Sequence, residues 1–112
     1  MKPAYKRGEV YWTQLDPVIG HEQAKTPPCA ILSDTLINER RGTVVIVPMT
    51  STPQREQFPI LIALPSMGKQ TKSRTEQIRS VDKSRLGRLE GILSEPDMHY
   101  LSRAVARVLK LV

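Results

Sequence analysis

The residues able to carry chemistry fall in three groups. Glu22, Gln23 and Lys25 share one polar loop, with His21 beside them. Thr50, Ser51 and Thr52 follow the most β-prone run of the chain and stand just before Pro53. Glu76, Gln77 and Arg79 occupy a polar stretch further on. Hydroxyls and free backbone N–H groups hold anions, Arg and Lys neutralise phosphate, and Gln and Glu read base edges. The three groups together would make a phosphate-handling site. A plainer reading stands beside it: 50–52 as a simple turn, and the polar stretch as a solvated sheet edge.

Other chemistries have little to build on. The only histidines are His21 and His99, and the only cysteine is Cys29, so no ligand cluster has zinc spacing. No metal or cofactor is expected. A Gly-Xaa-Ser-Xaa-Gly elbow, a phosphate-binding P-loop and a dinucleotide fingerprint are all missing. Cys29 precedes an apolar run and reads as a small core residue. His99 reads as a surface or boundary residue of a terminal helix.

Length and composition bound the rest. The 112 residues suit one domain, 1–112, with one core. Hydrophobic residues make up 39% and charged residues 25%, which fits a globular rather than a disordered chain. No apolar run approaches the roughly 20 residues of a membrane span, and MKPAYKRGEV carries no apolar signal core. A lone cysteine forms no internal disulfide. These features together point to the cytoplasm and away from a membrane. Net charge is +6, and the 69–88 segment alone supplies +5 of it: Lys69, Lys72, Arg74, Arg79, Lys83, Arg85 and Arg88 against Glu76 and Asp82. Such a concentration marks either a polyanion partner or a solvated basic face.

The elements that must position these groups are mostly strands. Alternation predicts a strand over Glu9–Leu15 with apolar residues on both faces. Further strands are expected over Pro28–Ser33, Thr43–Met49, Ile60–Leu64, Ser73–Val81 and Leu86–Leu93, the third of them central. Pro48 lacks a ladder donor and is expected at that strand's end or at a bulge. Arg40-Arg41-Gly42 reads as a turn, Pro65–Lys72 as a basic loop and Asp82–Arg85 as one helical turn. Ser94-Glu95-Pro96-Asp97 is a helix start: an N-cap, acids in the first turn, and Pro where its missing N–H costs nothing. Met98, Leu101, Val105, Val108, Leu109 and Val112 then recur at helical spacing and are expected to face the sheet. Short strands followed by one helix predict a small, strongly bent sheet or barrel.

Three segments carry a family resemblance. RGEVYWTQLDPVIGHEQAKTPP, VPMTST and EQIRSVDKSRL occur in that order and span most of the chain. Together the segments resemble the MazF/PemK family of toxin endoribonucleases of type II toxin–antitoxin systems. The resemblance implies a mainly β fold, a small SH3-like β-barrel (MazF/PemK/CcdB-like) with a C-terminal α-helix, assembled as a homodimer. It implies metal-independent, sequence-specific cleavage of single-stranded mRNA by 2′-hydroxyl attack, and a cognate antitoxin protein as partner. RNA-binding roles are implied for Glu22, Gln23, Lys25, Ser51, Glu76, Gln77 and Arg79. The catalytic pair is a threonine, matching Thr50, and an arginine at the position that Pro27 occupies here. Proline has no charge and no donor, so the resemblance implies a weakened or inactive enzyme, with Lys25 or His21 as the substitutes to test. The alternatives are a non-catalytic family member that binds nucleic acid or titrates antitoxin, and a toxin of this fold acting on a protein target such as a topoisomerase.

Overall fold

A computed structural model describes residues 4–15, 20 and 26–112. The strands are β1 (Glu9–Thr13), β2 (Pro28–Ile31), β3 (Thr43–Ser51), β4 (Leu61–Ala63), β5 (Thr71–Arg74), β6 (Arg79–Asp82) and β7 (Leu86–Ile92). Helix α1 covers Thr35–Arg40 and helix α2 covers Glu95–Val108. Every strand pairing is antiparallel. The strand order is β4-β5-β3-β2-β1-β7, with β6 also on β3. The two end strands, β4 and β7, do not pair. The bent sheet therefore stays open where the sequence pointed to a barrel, while the mainly β class and the C-terminal helix hold.

Strand β3 is central. Its first half pairs with β6, Thr43 to Ile46 against Asp82 to Arg79. Its second half pairs with β5, Met49 to Ser51 against Ser73 to Thr71. Pro48 was expected at the strand's end or at a bulge; it lies inside β3, at the point where the partner changes from β6 to β5. The Leu32 N–H donates to the Val45 carbonyl at 2.9 Å, so alternation along the β2–β3 ladder turns the Pro48 nitrogen away from β2. That side is the gap between β6 and β5. The missing donor falls where no ladder partner needs it.

The polar stretch expected as one strand is thus two. A 3₁₀ turn, Thr75–Gln77, separates β5 from β6. The expected basic loop is shorter, with a 3₁₀ turn over Pro65–Met67 and β5 already begun at Thr71. Gly68, at φ +152°, allows the close passage: a Cβ there would stand 2.7 Å from Thr71 Oγ1. Helix α1 was not expected. Asp34 caps it, its side chain accepting from the Leu36 N–H at 3.3 Å. The expected turn over 83–85 is present and is capped by Asp82.

Two clusters of side chains pack on opposite faces of the sheet. One sets Leu101, Ala104 and Val105 of α2 against Val10, Ala30, Val47, Met49 and Ile62. The other joins Tyr11, Leu15, Cys29, Ile31, Val44, Ile46, Val81 and Leu86. Strand β1 contributes to both, which explains its two apolar faces. Helix α2 begins as expected, Ser94 Oγ accepting from the Asp97 N–H at 3.2 Å. Asp97 Oδ2 in turn accepts from the Ser66 N–H at 2.8 Å, tying the helix start to the 3₁₀ turn. The expected apolar face runs too far: α2 stops at Val108, and Leu109 and Val112 are exposed. His99 is exposed, as expected.

Cys29 is fully buried. Burial pushes its thiol up to about 12, against smaller lowering effects of the Thr13 hydroxyl and the Arg79 charge.

Two measurements check this packing. Leu101→Ala should cost about 2–5 kcal/mol in urea unfolding, whereas Val112→Ala should stay within about 0.5 kcal/mol. The raised Cys29 pKa means that the folded state holds a proton that the unfolded state releases. Stability from this group is complete below the ordinary value of 9.0 and is lost as pH rises toward about 12. The unfolding free energy should therefore fall across that window by up to about 1.4 kcal/mol per pH unit more than in Cys29→Ala. Equal slopes in the two proteins would contradict the burial.

Candidate active site

Side chains alternate along a strand. On β3, Val47 and Met49 face α2, while Val44 and Ile46 belong to the opposite cluster. Parity therefore puts Thr50 on the face of Ile46 and Pro48, away from the helix. Thr50 is half-buried and Ser51 exposed.

The β3–β5 register sets Lys72 directly opposite Thr50, with Ser73 opposite Met49. Lys72 and Arg74 consequently share the Thr50 face, while Ser73 is buried on the other. Arg79 sits opposite Ile46 and joins the same face lower down, about 13 Å from Thr50 along the strand. Three cations therefore line β3 on one side. Lys72 Nζ donates to the Thr52 carbonyl at 2.9 Å. Arg74 Nε is buried with no hydrogen-bond partner among the described residues.

The other neighbour of Thr50 comes from β2. Its register pairs Cys29 with Pro48, Ala30 with Val47 and Ile31 with Ile46. The observed pairing ends at Cys29 and Pro48; extrapolated two residues further, the register aligns Pro27 with Thr50. Pro27 is buried, and its carbonyl accepts from the Thr13 N–H at 2.9 Å. Paired residues Thr50, Lys72 and Ala63 form one row across the sheet, and the extrapolated register carries that row on to Pro27. Cross-strand neighbours in such a row have Cβ atoms about 4.5–5.5 Å apart.

A cleft of about 550 Å³ opens at the end of β3. Trp12, Pro28, Met49, Met67 and Ile92 form its apolar wall, and Thr50, Ser51, Ser66, Thr71 and Glu90 its polar rim. Apolar walls with a few placed polar groups are what small-molecule and base sites use.

The candidate residues from the sequence are therefore partly assembled. Thr50 and Ser51 both border the cleft, Ser51 from the α2 face that carries Met49 and Met67, and Thr50 from the end of the strand, its side chain on the opposite face by alternation. They end a strand, so the turn reading of 50–52 does not hold. Arg79 stands on the same face as Thr50 but outside the cleft, and Glu76 and Gln77 stand on the 3₁₀ turn between β5 and β6. His21, Glu22, Gln23 and Lys25 lie outside the described residues. Sequence reasoning missed Lys72 because the stretch before Ser73 read as loop, and it counted Arg74, inside the expected Ser73–Val81 strand, only among the basic residues. The signal was there in the alternation of Thr71, Lys72, Ser73 and Arg74, cation on one face and hydroxyl on the other. Among the described residues no group of three or more His, Cys, Asp or Glu side chains could hold a metal ion. The site offers the hydroxyls of Thr50 and Ser51 at the end of β3, with several cations nearby. That is equipment for gripping an anion.

A family model described as PemK-like, MazF-like toxin of type II toxin–antitoxin system matches residues 6–109. The chain is 32% identical over 108 residues to Endoribonuclease MazF9 of Mycobacterium tuberculosis, spanning 89% of this chain and 92% of that protein. It is 29% identical over 85 residues to Endoribonuclease EndoA of Bacillus subtilis, spanning 72% and 73%. Among solved structures, an endoribonuclease in complex with its cognate antitoxin from a mycobacterial species matches with a TM-score of 0.81 at 27% identity, over 97% of this chain and 98% of that one. MazF from Deinococcus radiodurans matches at 0.83 and 22% identity, over 97% and 99%, a likeness of fold. The chain belongs to the PemK-like, MazF-like family of toxins of type II toxin–antitoxin systems.

Proposed function

We propose that this chain is an endoribonuclease toxin that cuts single-stranded mRNA at short sequences, acts as a homodimer in the cytoplasm, and is silenced by a cognate antitoxin. The observation that carries the reading is Thr50, set on one sheet face in line with Lys72, Arg74 and Arg79. Relatives named as endoribonucleases, and a solved relative bound to its antitoxin, support it. Among the described residues no helix is long and apolar enough to cross a membrane.

The reaction asks little beyond charge and alignment. The RNA 2′-hydroxyl attacks the adjacent phosphorus and loses its proton. The bond from phosphorus to the 5′-oxygen breaks, and that oxygen takes up a proton. The products are a cyclic 2′,3′-phosphate and a free 5′-hydroxyl. Negative charge builds on the non-bridging oxygens on the way, and donors that grip it more tightly there than in the ground state lower the barrier. Thr50 supplies one neutral hydrogen bond. Position 27 is where the family pattern places a guanidinium, and Pro27 supplies none. The chain should therefore bind RNA but cleave it slowly, with no metal in the chemistry. Arg79 neutralises backbone phosphate, Ser51 borders the cleft, and Glu76 and Gln77 read bases. Glu22, Gln23 and Lys25 are assigned to the same groove on sequence grounds.

The buried, uncharged Pro27 also favours a second reading, a family member that binds RNA or titrates antitoxin without cutting.

Cleavage of a long single-stranded transcript, with the new ends identified as cyclic phosphate and 5′-hydroxyl, separates the two. Pro27→Arg should raise the rate by about 10²–10³, and Pro27→Arg with Thr50→Ala should lose most of that gain. No cleavage by Pro27→Arg would favour the binding reading. Binding supplies a second check. Arg79→Ala should weaken RNA affinity and reduce the log–log salt slope by roughly 0.7. Gln77→Ala should leave the slope alone and relax base preference. Unchanged affinity and slope in Arg79→Ala would move the groove elsewhere.

A further inference from the structure

We infer that Lys72 is the cation that meets the scissile phosphate in this chain, in the absence of a guanidinium at position 27. The inference rests on the endoribonuclease reading and names a residue for it. Its basis is the row across the sheet. Thr50 has two cross-strand neighbours on its own face: position 27 toward β2, by continuing the register, and Lys72 toward β5, by direct pairing. One is an uncharged, buried ring. The other carries a full positive charge on a flexible stem.

Reach and surroundings agree with that role. Lys72 is half-buried, and its Nζ donates at 2.9 Å to the carbonyl of Thr52, the residue that follows the end of β3 and lies two positions beyond Thr50. That contact holds one of three ammonium protons and leaves two to donate. Thr50 and Thr52 are about 6–7 Å apart along the chain, a span that a rotamer change of the four-carbon stem covers by releasing the Thr52 carbonyl. Arg79 is too far along the strand to touch a phosphate held at Thr50. Arg74 is in the adjacent row, opposite Leu61. Lys72 alone of the three faces Thr50 directly.

The step itself is charge stabilisation, with no proton moved by the lysine. As the 2′-oxygen bonds to phosphorus and the 5′-oxygen departs, Lys72 donates to a non-bridging oxygen whose negative charge is growing. Thr50 donates to the same phosphate. An ammonium is a point charge without the paired donors of guanidinium, so this arrangement is expected to be slower than one with arginine at 27.

The ordinary alternative is structural: Lys72 ties the Thr52 carbonyl and nothing more. A double-mutant cycle separates the two. Lys72→Met keeps most of the stem and removes the charge; Lys72→Arg keeps the charge. Cleavage of the same single-stranded transcript is measured for each, alone and combined with Pro27→Arg, and thermal melting reports the fold. If Lys72 acts on the phosphate, Lys72→Met lowers kcat about 10²-fold in the chain as it stands. The melting point changes little, and Lys72→Arg retains most of the rate. Beside Pro27→Arg the same loss shrinks by about tenfold or more, because the two cations share one task. Equal losses in the two backgrounds, or a rate loss that tracks a lowered melting point, would overturn the inference and leave the endoribonuclease reading standing. Absence of cleavage in every variant, Pro27→Arg included, would overturn both.

Discussion

Strand β3 is obliged to change partners at Pro48, and the rest of the molecule is arranged around that change. A residue with no N–H cannot complete a ladder on the edge it faces. Before Pro48 the strand lies against β6, and after it against β5. The register shifts between the two, and the 3₁₀ turn Thr75–Gln77 takes up the intervening residues. The Pro48 carbonyl, facing the same gap, accepts from the Ser73 hydroxyl at 3.3 Å. The change of partner carries the end of β3 out of the core. Thr50 is thereby paired with Lys72, while alternation sets its side chain on the face away from α2.

That arrangement separates stability from chemistry by face. The buried apolar side chains toward α2, such as Val47, Met49 and Ile62, hold the sheet to the helix. Those on the opposite face begin as a second apolar cluster around Cys29, Ile46 and Val81, and give way to cations further along. Arg79 stands at the boundary, near enough for its charge to act on the Cys29 thiol. Cations placed beside an apolar cluster are less screened than in bulk water and hold an anion more firmly. In this account the central weakness is the uncharged ring at position 27, and its effect is electrostatic, because the row that positions the phosphate remains intact.

Much of this was legible in the sequence, for local reasons. The start of α2 follows from Ser94, Pro96 and Asp97, whose capping needs no tertiary context. The strands β1, β2, β3, β4 and β7 follow from alternation and β-branched residues. What was missed depended on partners distant in the chain. Helix α1 is short and takes its anchorage from Asn38, which donates to the Tyr5 carbonyl at 2.9 Å. The division of 73–81 into two strands is set by β3, whose proline has no counterpart to bond. Leu109 and Val112 kept the helical rhythm beyond the point where α2 has a sheet to pack on. Thr50 and Ser51 were legible as candidates because hydroxyls after a β run stand out. Lys72 was not, because only the register shows which of the many cations faces Thr50.

The central claim is that one phosphate sits in the row formed by position 27, Thr50 and Lys72. A crystal structure of the chain with a single-stranded RNA carrying a 2′-deoxy nucleotide at the cleavage point tests it most directly. The account predicts the uncleaved phosphate within hydrogen-bond distance, about 2.7–3.2 Å, of both Thr50 Oγ1 and Lys72 Nζ. A phosphate seated on the α2 side of the sheet, or held by Arg79 with Thr50 untouched, would contradict it.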